Sequence, residues 1–584
     1  MAYRPPTKDL AFALAQVAGL GRLEPHVEGL DAAMVEAVLE AAGELAAGVL
    51  EPLNRTGDTQ GSQLRNGRVV SPDGFPAAYK AFAEGGWNSL AADPAFGGQG
   101  LPKALELAVF EMINAVNMAF ALCPTLTQAA IEALQAHGTD RQKAMYLPKL
   151  ISGEWTGTMH LTEPQAGSDL GAIRTVAEPD GDGKWRLTGQ KIFITWGDHD
   201  LTDNIVHLVL ARTPGAPDGV RGLSLFVAAS RNVGEDGVLG EANQLKAAGL
   251  EHKLGIHASP TCVMVYEGAH AELVGELNQG LAHMFTMMNA ARVAVGVQGV
   301  GVAEGAYQHA LAYARERRQG RSDWSADRPA AIFDHPDVRR MLVLMKAKIE
   351  AARAICLSAG VAADLARLSP DPDERRAAGL RAELLTPIAK GWSTDVGVEV
   401  ASLGVQVHGG MGFIEETGAA QYYRDARIAP IYEGTNGIQA IDLVGRKLTM
   451  ADGEAVASLL LELQEIGPDL AEVDGLQIVG ARLAEGLEAL ERASIWMKDH
   501  PGAEAQAGAC AYLKLFGDVL GGFMLAKGAL AAARMLDGGE TSPWLGGKIG
   551  LAQVFADQVL TGAPGLALAS VQGAAVLQAV DLEG

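Results

Sequence analysis

The sequence predicts an α+β multidomain chain: an N-terminal helical domain, a central small β-barrel or sandwich, a C-terminal helical bundle, and an extra helical domain at the end. Three observations carry this reading. Helical periodicity with strong helix formers runs from about residue 30 to 150, as in Ala32-Ala33-Met34-Val35-Glu36-Ala37-Val38-Leu39-Glu40. Short β-prone runs punctuated by Gly, Pro and Asp then occupy about 120 residues. Long helical patterns return near Leu281 and continue. Helix, then sheet, then helix is a succession of separate layers and not a βαβ series. The expected domains are 1–153, 154–275, 276–450 and 451–584.

In the first domain, a loop rich in Gly, Asn and Ser is expected from Asn54 to Gly74. Helices resume at Phe75 and at Leu105 to Ala136, with a turn at Asp93-Pro94-Ala95-Phe96-Gly97-Gly98-Gln99-Gly100 between them. In the second domain, Thr156 to Thr162 alternates as a strand. Trp185 to Trp196 reads as two short strands, and Asn204 to Ala211 and Leu223 to Val227 as further ones. Helices from Leu281 to Leu448 are broken near Ser322 to Pro336 and Pro370 to Pro372. Leu459 to Ile466, Leu476 to Ala493, Ala505 to Leu536 and Leu551 to Val559 form the final Ala/Leu/Gly-rich bundle.

Bulk properties exclude several functions. The 584-residue chain has a formal net charge of −23, which argues against nucleic acid as a partner, since phosphate binding needs clustered Lys and Arg. Residues 451–584 hold 7 Lys/Arg against 18 Asp/Glu, so that unit offers no basic surface either. The cysteines, Cys123, Cys262, Cys356 and Cys510, are far apart and lack metal-ligand spacing. They suit reduced thiols in the cytoplasm. No metal site and no membrane span are expected, and Met1 to Leu20 does not read as a signal peptide.

Chemistry concentrates in a few segments. In Arg424-Asp425-Ala426-Arg427-Ile428-Ala429-Pro430-Ile431-Tyr432-Glu433-Gly434-Thr435-Asn436-Gly437, one carboxylate sits among apolar residues. Such a setting raises its pKa and suits a general base, and Gly434 leaves clearance for a ligand. An ordinary Glu in an interhelical turn is the bland alternative. Met159-His160-Leu161-Thr162-Glu163-Pro164-Gln165-Ala166-Gly167-Ser168-Asp169 ends a strand in a turn whose N–H groups and hydroxyls could bind a phosphate or a flavin edge. Gly189-Gln190-Lys191-Ile192-Phe193-Ile194-Thr195-Trp196 is an aromatic strand, and Glu251 to Thr261 reads as a structural strand. Asn289-Ala290-Ala291-Arg292 places a cation on a helix, where substrate positioning and a structural ion pair weigh evenly. Arg315-Glu316-Arg317-Arg318 offers forked phosphate donors. Gln406-Val407-His408-Gly409-Gly410-Met411-Gly412 permits close backbone approach but follows no strand, so it is no Rossmann fingerprint. A packed His408 is the stronger reading than a proton shuttle. The His283 to Met288 run is more readily a helix core than an acyl pocket.

Together these segments resemble the acyl-CoA dehydrogenase family, in order and spacing from about residue 80 to 445. The start Tyr3-Arg4-Pro5-Pro6-Thr7-Lys8-Asp9 and the long C-terminal unit are similar to its larger forms, those related to 3-methylmercaptopropionyl-CoA dehydrogenase. The resemblance implies FAD as cofactor and an acyl-CoA thioester dehydrogenated to the trans-2-enoyl-CoA. Glu433 would take the α proton while the flavin accepts the β hydride, with the Glu433 N–H and a ribityl hydroxyl steadying the thioester oxygen. It implies flavin contacts at Met159, Leu161, Thr162, Gly167, Ser168, Phe193, Thr195, Arg317, Gln406, Gly409, Gly410, Thr435 and Gly437. Ser168, Asn289, Arg292 and Gly434 would meet the substrate. The family's Asn is Trp196 here and its frequent Asp is Asn289. An electron-transferring flavoprotein is the implied acceptor, and a homodimer, with the terminal unit covering surface, the implied assembly. An acyl-CoA oxidase and a flavin-bearing binding protein of the same fold are the alternatives. The acyl group stays open among 3-methylthiopropionyl and short, medium or long fatty chains.

Overall fold

The computed structural model describes residues 3–582. The expected domain limits at 1 and 584, and the N-terminal reading at Met1, fall just outside them. The chain divides into two compact units, 44–101 with 116–291, and 3–43 with 102–115 and 292–582.

The first unit is built on β-structure. Strands Lys184–Thr195, Val176–Pro179, Ile205–Arg212, Leu223–Ala229 and Thr261–Val274 pair in succession, and the last pairs back to the first. The ring is a small barrel, as expected. Leu245–Leu250 adds to it antiparallel, and Thr156–His160 adds in parallel to Ile205–Arg212. Ile205–Arg212 and Leu223–Ala229 are buried along nearly their whole length, because apolar layers cover both faces. One layer contains Met284 and Met287, fully buried, so these methionines pack in the core.

Three expectations change here. Asn54 to Gly74 is not one loop: Glu51–Gln60 is helical, and Gln63–Arg65 and Arg68–Val70 form a hairpin. Asn66 and Gly67 both take positive φ, the backbone that an Asn-Gly hairpin turn requires. Trp185 to Trp196 is one strand and not two. Gly189 interrupts nothing; a Cβ there would lie 2.6 Å from Thr175 Oγ1, so the glycine serves close approach. Glu251 to Pro260 is irregular, with Ile256 at φ +48°, and the strand begins only at Thr261.

The second unit is helical. Pro336–Leu368 and Pro372–His408 start with Pro in the first turn, and Asp371 caps the latter through Asp373 N–H. The part of Gly280–Glu316 in this unit crosses Pro372–His408 closely at Gly299, where a Cβ would meet Ser393 O at 2.5 Å. Helices Glu454–Glu465, Gln477–Asp499, Ala503–Asp537, Pro543–Gln558 and Ala563–Ser570 make the C-terminal extension. Buried charges tie the pieces together: Arg353 bonds Glu111 and Glu304, and Asp9 bonds Lys346 and Lys548 at 2.8 and 2.7 Å. Two helices, Lys103–His137 and Ala503–Asp537, are long and apolar enough to cross a membrane. Their apolar windows are 100% and 72% buried, which suits core helices.

Candidate active site

In the helical unit, Glu433 stands in a tight turn. Its φ is +56° and that of Gly434 is +85°. The left-handed region is costly for a residue with a Cβ, about 1–3 kcal/mol, and persists only where neighbours enforce it. The enforcement is visible. Asn436 N–H donates to Pro430 O at 2.9 Å, and Thr435 caps helix Asn436–Asp442 through Ile438 N–H. The Tyr432 hydroxyl donates to the buried Gln298. Gln439 Nε2 reaches the carbonyls of Glu433 and Gly434 at 3.4 Å, and a Cβ on Gly434 would collide with it at 2.7 Å.

The Glu433 side chain keeps partial access, yet the protein around it removes enough water to push its pKa up to about 7. The positive charges of Arg292 and Lys390 oppose that rise. Arg292 is buried, and its own pKa is lowered by desolvation despite Asp442 and Glu433. Gly437 leaves open space, with only Thr435 Oγ1 at 3.6 Å from an added Cβ. Glu433, Gly434, Thr435, Gly437 and Arg292 are therefore one constellation: a desolvated carboxylate with cations nearby and a backbone cleared for a ligand.

A second patch of this unit gathers the phosphate candidates. His408 stacks on Tyr313 at 4.4 Å and on His309 at 4.8 Å, and its Nδ1 bonds Gly404 O, so it is packed. Gln406, Gly409 and Gly410 are exposed beside it, and nothing lies within 4 Å of a Cβ added to either glycine. Arg317 is exposed just past the helix that carries Tyr313. Met411 and Phe413 are open to solvent, Phe413 at 88%.

In the β-unit, Ile192 N–H donates to Thr162 O at 2.9 Å, which joins the Met159–Thr162 segment to the strand bearing Phe193 and Thr195. Phe193 is 58% exposed at φ +59°, so the strand presents its ring outward. Thr162 and Thr195 are half-buried, and Gly167 and Ser168 are exposed. An open aromatic face beside hydroxyls fits a ligand with a flat ring and a polar rim, as FAD has. Leu161 points its side chain into the core, Asn289 is exposed, and Trp196 is fully buried with its indole N–H on Ala119 O.

Sequence reasoning passed over the supports. Lys191 is fully buried and bonds Glu163 at 2.8 Å and Leu161 O at 2.9 Å. Glu163 also accepts from Arg174 and Thr175 N–H. Desolvation opposes its charge, but Lys191 and these donors hold its pKa down to about 2. The signal was a Lys and a Glu inside otherwise apolar strand motifs. Lys390, an isolated cation in Leu384-Leu385-Thr386-Pro387-Ile388-Ala389-Lys390-Gly391-Trp392, was equally readable. Among the described residues, no group of three or more His, Cys, Asp or Glu could hold a metal.

The chain belongs to the acyl-CoA dehydrogenase family and is an FAD-dependent acyl-CoA dehydrogenase. The family's N-terminal, middle and C-terminal domains match residues 34–154, 158–269 and 278–448, and an acetyl-CoA dehydrogenase C-terminal-like domain matches 462–581. Among relatives, the 3-methylmercaptopropionyl-CoA dehydrogenase of Ruegeria pomeroyi is 49% identical, over 96% of each chain. A broad-specificity linear acyl-CoA dehydrogenase of Mycobacterium tuberculosis is 34% identical, over 96% of this chain and 95% of its own. An acyl-CoA dehydrogenase from Bacillus anthracis, solved with FAD, shares the fold with a TM-score of 0.75. It is 20% identical, covering 97% of this chain and 93% of that one.

Proposed function

We propose that Glu433 is the base that removes the α proton of an acyl-CoA and that 3-methylthiopropionyl-CoA or a similarly short thioester is the substrate. The observation that carries the first part is the enforced left-handed turn, with a carboxyl whose pKa lies near 7. A base with that proton affinity is substantially ionised at neutral pH and still basic enough to take a proton from carbon. Arg292 and Lys390 keep it from being neutralised outright. The Lys191–Glu163 pair fixes the Leu161-Thr162 turn, so that Thr162, Ser168, Phe193 and Thr195 hold the cofactor. When bound, FAD supplies the two-electron acceptor for the β hydrogen. Gly437 leaves open space next to the turn, and Gly434 lets Gln439 approach the backbone behind the base. The 49% identical relative supports the sulfur-containing acyl group.

An electron-transferring flavoprotein as acceptor and a cytoplasmic homodimer complete the proposal, with oxidation in fatty acyl or related acid breakdown as its setting. The free cysteines support a reducing compartment, and the exposed Met411, Phe413 and Ile414 support a partner on that face. The four domain matches support limits at 1–153, 154–275, 276–450 and 451–584. The test is steady-state turnover with a dye acceptor over graded acyl-CoA thioesters, including 3-methylthiopropionyl-CoA, with and without air. Glu433→Gln should bind flavin and lose turnover. Near-normal turnover by that variant refutes the base, and flat rates across the panel refute the substrate.

A further inference from the structure

The Glu433 turn is fastened from behind. Lys390, on helix Pro372–His408, is fully buried, and among the described residues its ammonium hydrogen-bonds only Asn436 Oδ1, at 2.9 Å. The Asn436 amide donates to Gly391 O at 2.9 Å and Asp395 Oδ1 at 2.8 Å. Its backbone N–H holds Pro430 O. Asn436 thus clamps both ends of the 430–436 turn to the helix at Lys390. The next residues of that helix sit on the C-terminal extension. Trp392 donates its indole N–H to Asp518 Oδ1 at 2.9 Å, and a Cβ on Gly517 would lie 2.2 Å from the Trp392 ring.

We propose that Lys390 is a positioning residue for Glu433: it pins the turn through Asn436 and supplies a second buried cation beside the carboxyl, in a seat formed by the C-terminal extension. The proposal rests on Glu433 being the base. A buried ammonium bonded to a neutral amide is costly unless carboxylates lie near. Those that favour its charge are Glu433 and then Asp395, while Arg292 opposes it. From the extension, Lys514 pairs with Asp518 at 2.8 Å and its charge favours the Asp395 carboxylate. Glu433 is accordingly the leading electrostatic partner of Lys390, and the extension contributes to the site besides covering surface.

The test compares Lys390→Gln, Lys390→Met and Glu433→Gln as flavin-loaded enzymes, reading the flavin spectrum and the pH profile of kcat/KM with a dye acceptor. Gln keeps a donor for Asn436 and removes the charge. Its acid limb should move about one unit towards alkaline pH, because the carboxylate loses a stabilising cation. Met removes both, and should add a fall in kcat of about ten-fold as the turn loosens. If the Lys390 variants do not fold, Asn436→Ala with bound flavin should show the same fall in kcat. A Lys390→Gln profile superimposed on that of the native enzyme, or unaltered kcat in Asn436→Ala, overturns the proposal. With Glu433→Gln inactive, that result leaves the base assignment standing; an active Glu433→Gln overturns the base itself.

Discussion

Replacing Glu433 with Gln should stabilise the protein at alkaline pH while removing its activity. In the unfolded chain this carboxyl titrates near 4.5, and in the fold near 7. Below pH 4.5 both states hold the proton and no difference arises. As pH climbs towards 7 the unfolded chain releases its proton while the fold retains it, so stability falls with rising pH and the penalty is complete above 7. At 1.36 kcal/mol per unit, the full difference is about 3 kcal/mol. Solvent reaching the side chain screens the charge and reduces it, to a range of about 1–3 kcal/mol. The value of about 7 already includes the pull of Arg292 and Lys390, so losing those attractions is not an additional cost. Gln mimics the protonated acid at every pH. Thermal melting with saturating flavin should therefore show Glu433→Gln a few degrees above the native enzyme at pH 8, with a much smaller gap at pH 5. Equal melting temperatures at pH 8, or a lower one for the variant, would refute the claim that this carboxylate is held against its preference.

In the native enzyme, kcat/KM should rise with pH through an acid limb near 7, set by Glu433, and steady-state assays across pH 5–9 will read it. Lys191→Met strands the buried Glu163 carboxylate. It should cost about 3–5 kcal/mol in denaturant unfolding and weaken flavin retention, whereas a loss below 1 kcal/mol would mean the pair is dispensable. Glu163 itself contributes stability that is present above pH 4.5 and lost as pH falls through about 2. Gly517→Ala forces a methyl into the Trp392 ring and should destabilise the chain by about 1–3 kcal/mol, measurable by the same unfolding.

The layer order was legible because local composition and periodicity differ between layers: Ala32–Leu45 carries strong helix formers at a 3.6-residue period, and Thr156–His160 is a short β-prone run, buried almost throughout. Glu433 was legible too, since an apolar run flanking a lone carboxylate predicts desolvation. Lys184–Thr195 was misread because Gly189 signals either a turn or a close neighbour, and only the position of Thr175 decides between them. Asn66-Gly67 was a readable hairpin signal passed over inside a polar stretch. Lys390 and Asn436 lie 46 residues apart, and no local pattern announces that an amide on one segment receives an ammonium from another. The positive φ of Glu433 was beyond reach for the same reason, since it is imposed by contacts from Gln298, Gln439 and Asn436.

Strain and desolvation at Glu433 have one physical source. A carboxylate that can take a proton from carbon must be poorly solvated, and a poorly solvated carboxylate tends to rotate towards water or towards the nearest cation. A regular helix would leave a side chain free rotamers for that escape. A left-handed residue whose turn is clamped by Asn436 to a helix segment seated through Trp392 on Asp518 has far fewer. The two cations act in the opposite sense, lowering the proton affinity of Glu433, but neither Arg292 nor Lys390 cancels the desolvation. The free energy that offsets the strain and desolvation of Glu433 must therefore come from the packing behind it. In this chain part of that packing belongs to helix Ala503–Asp537, so a lesion in the extension at Gly517 should alter the acid limb of kcat/KM as well as the unfolding midpoint. A Gly517→Ala enzyme that is less stable but retains the native limb would separate the extension from the base.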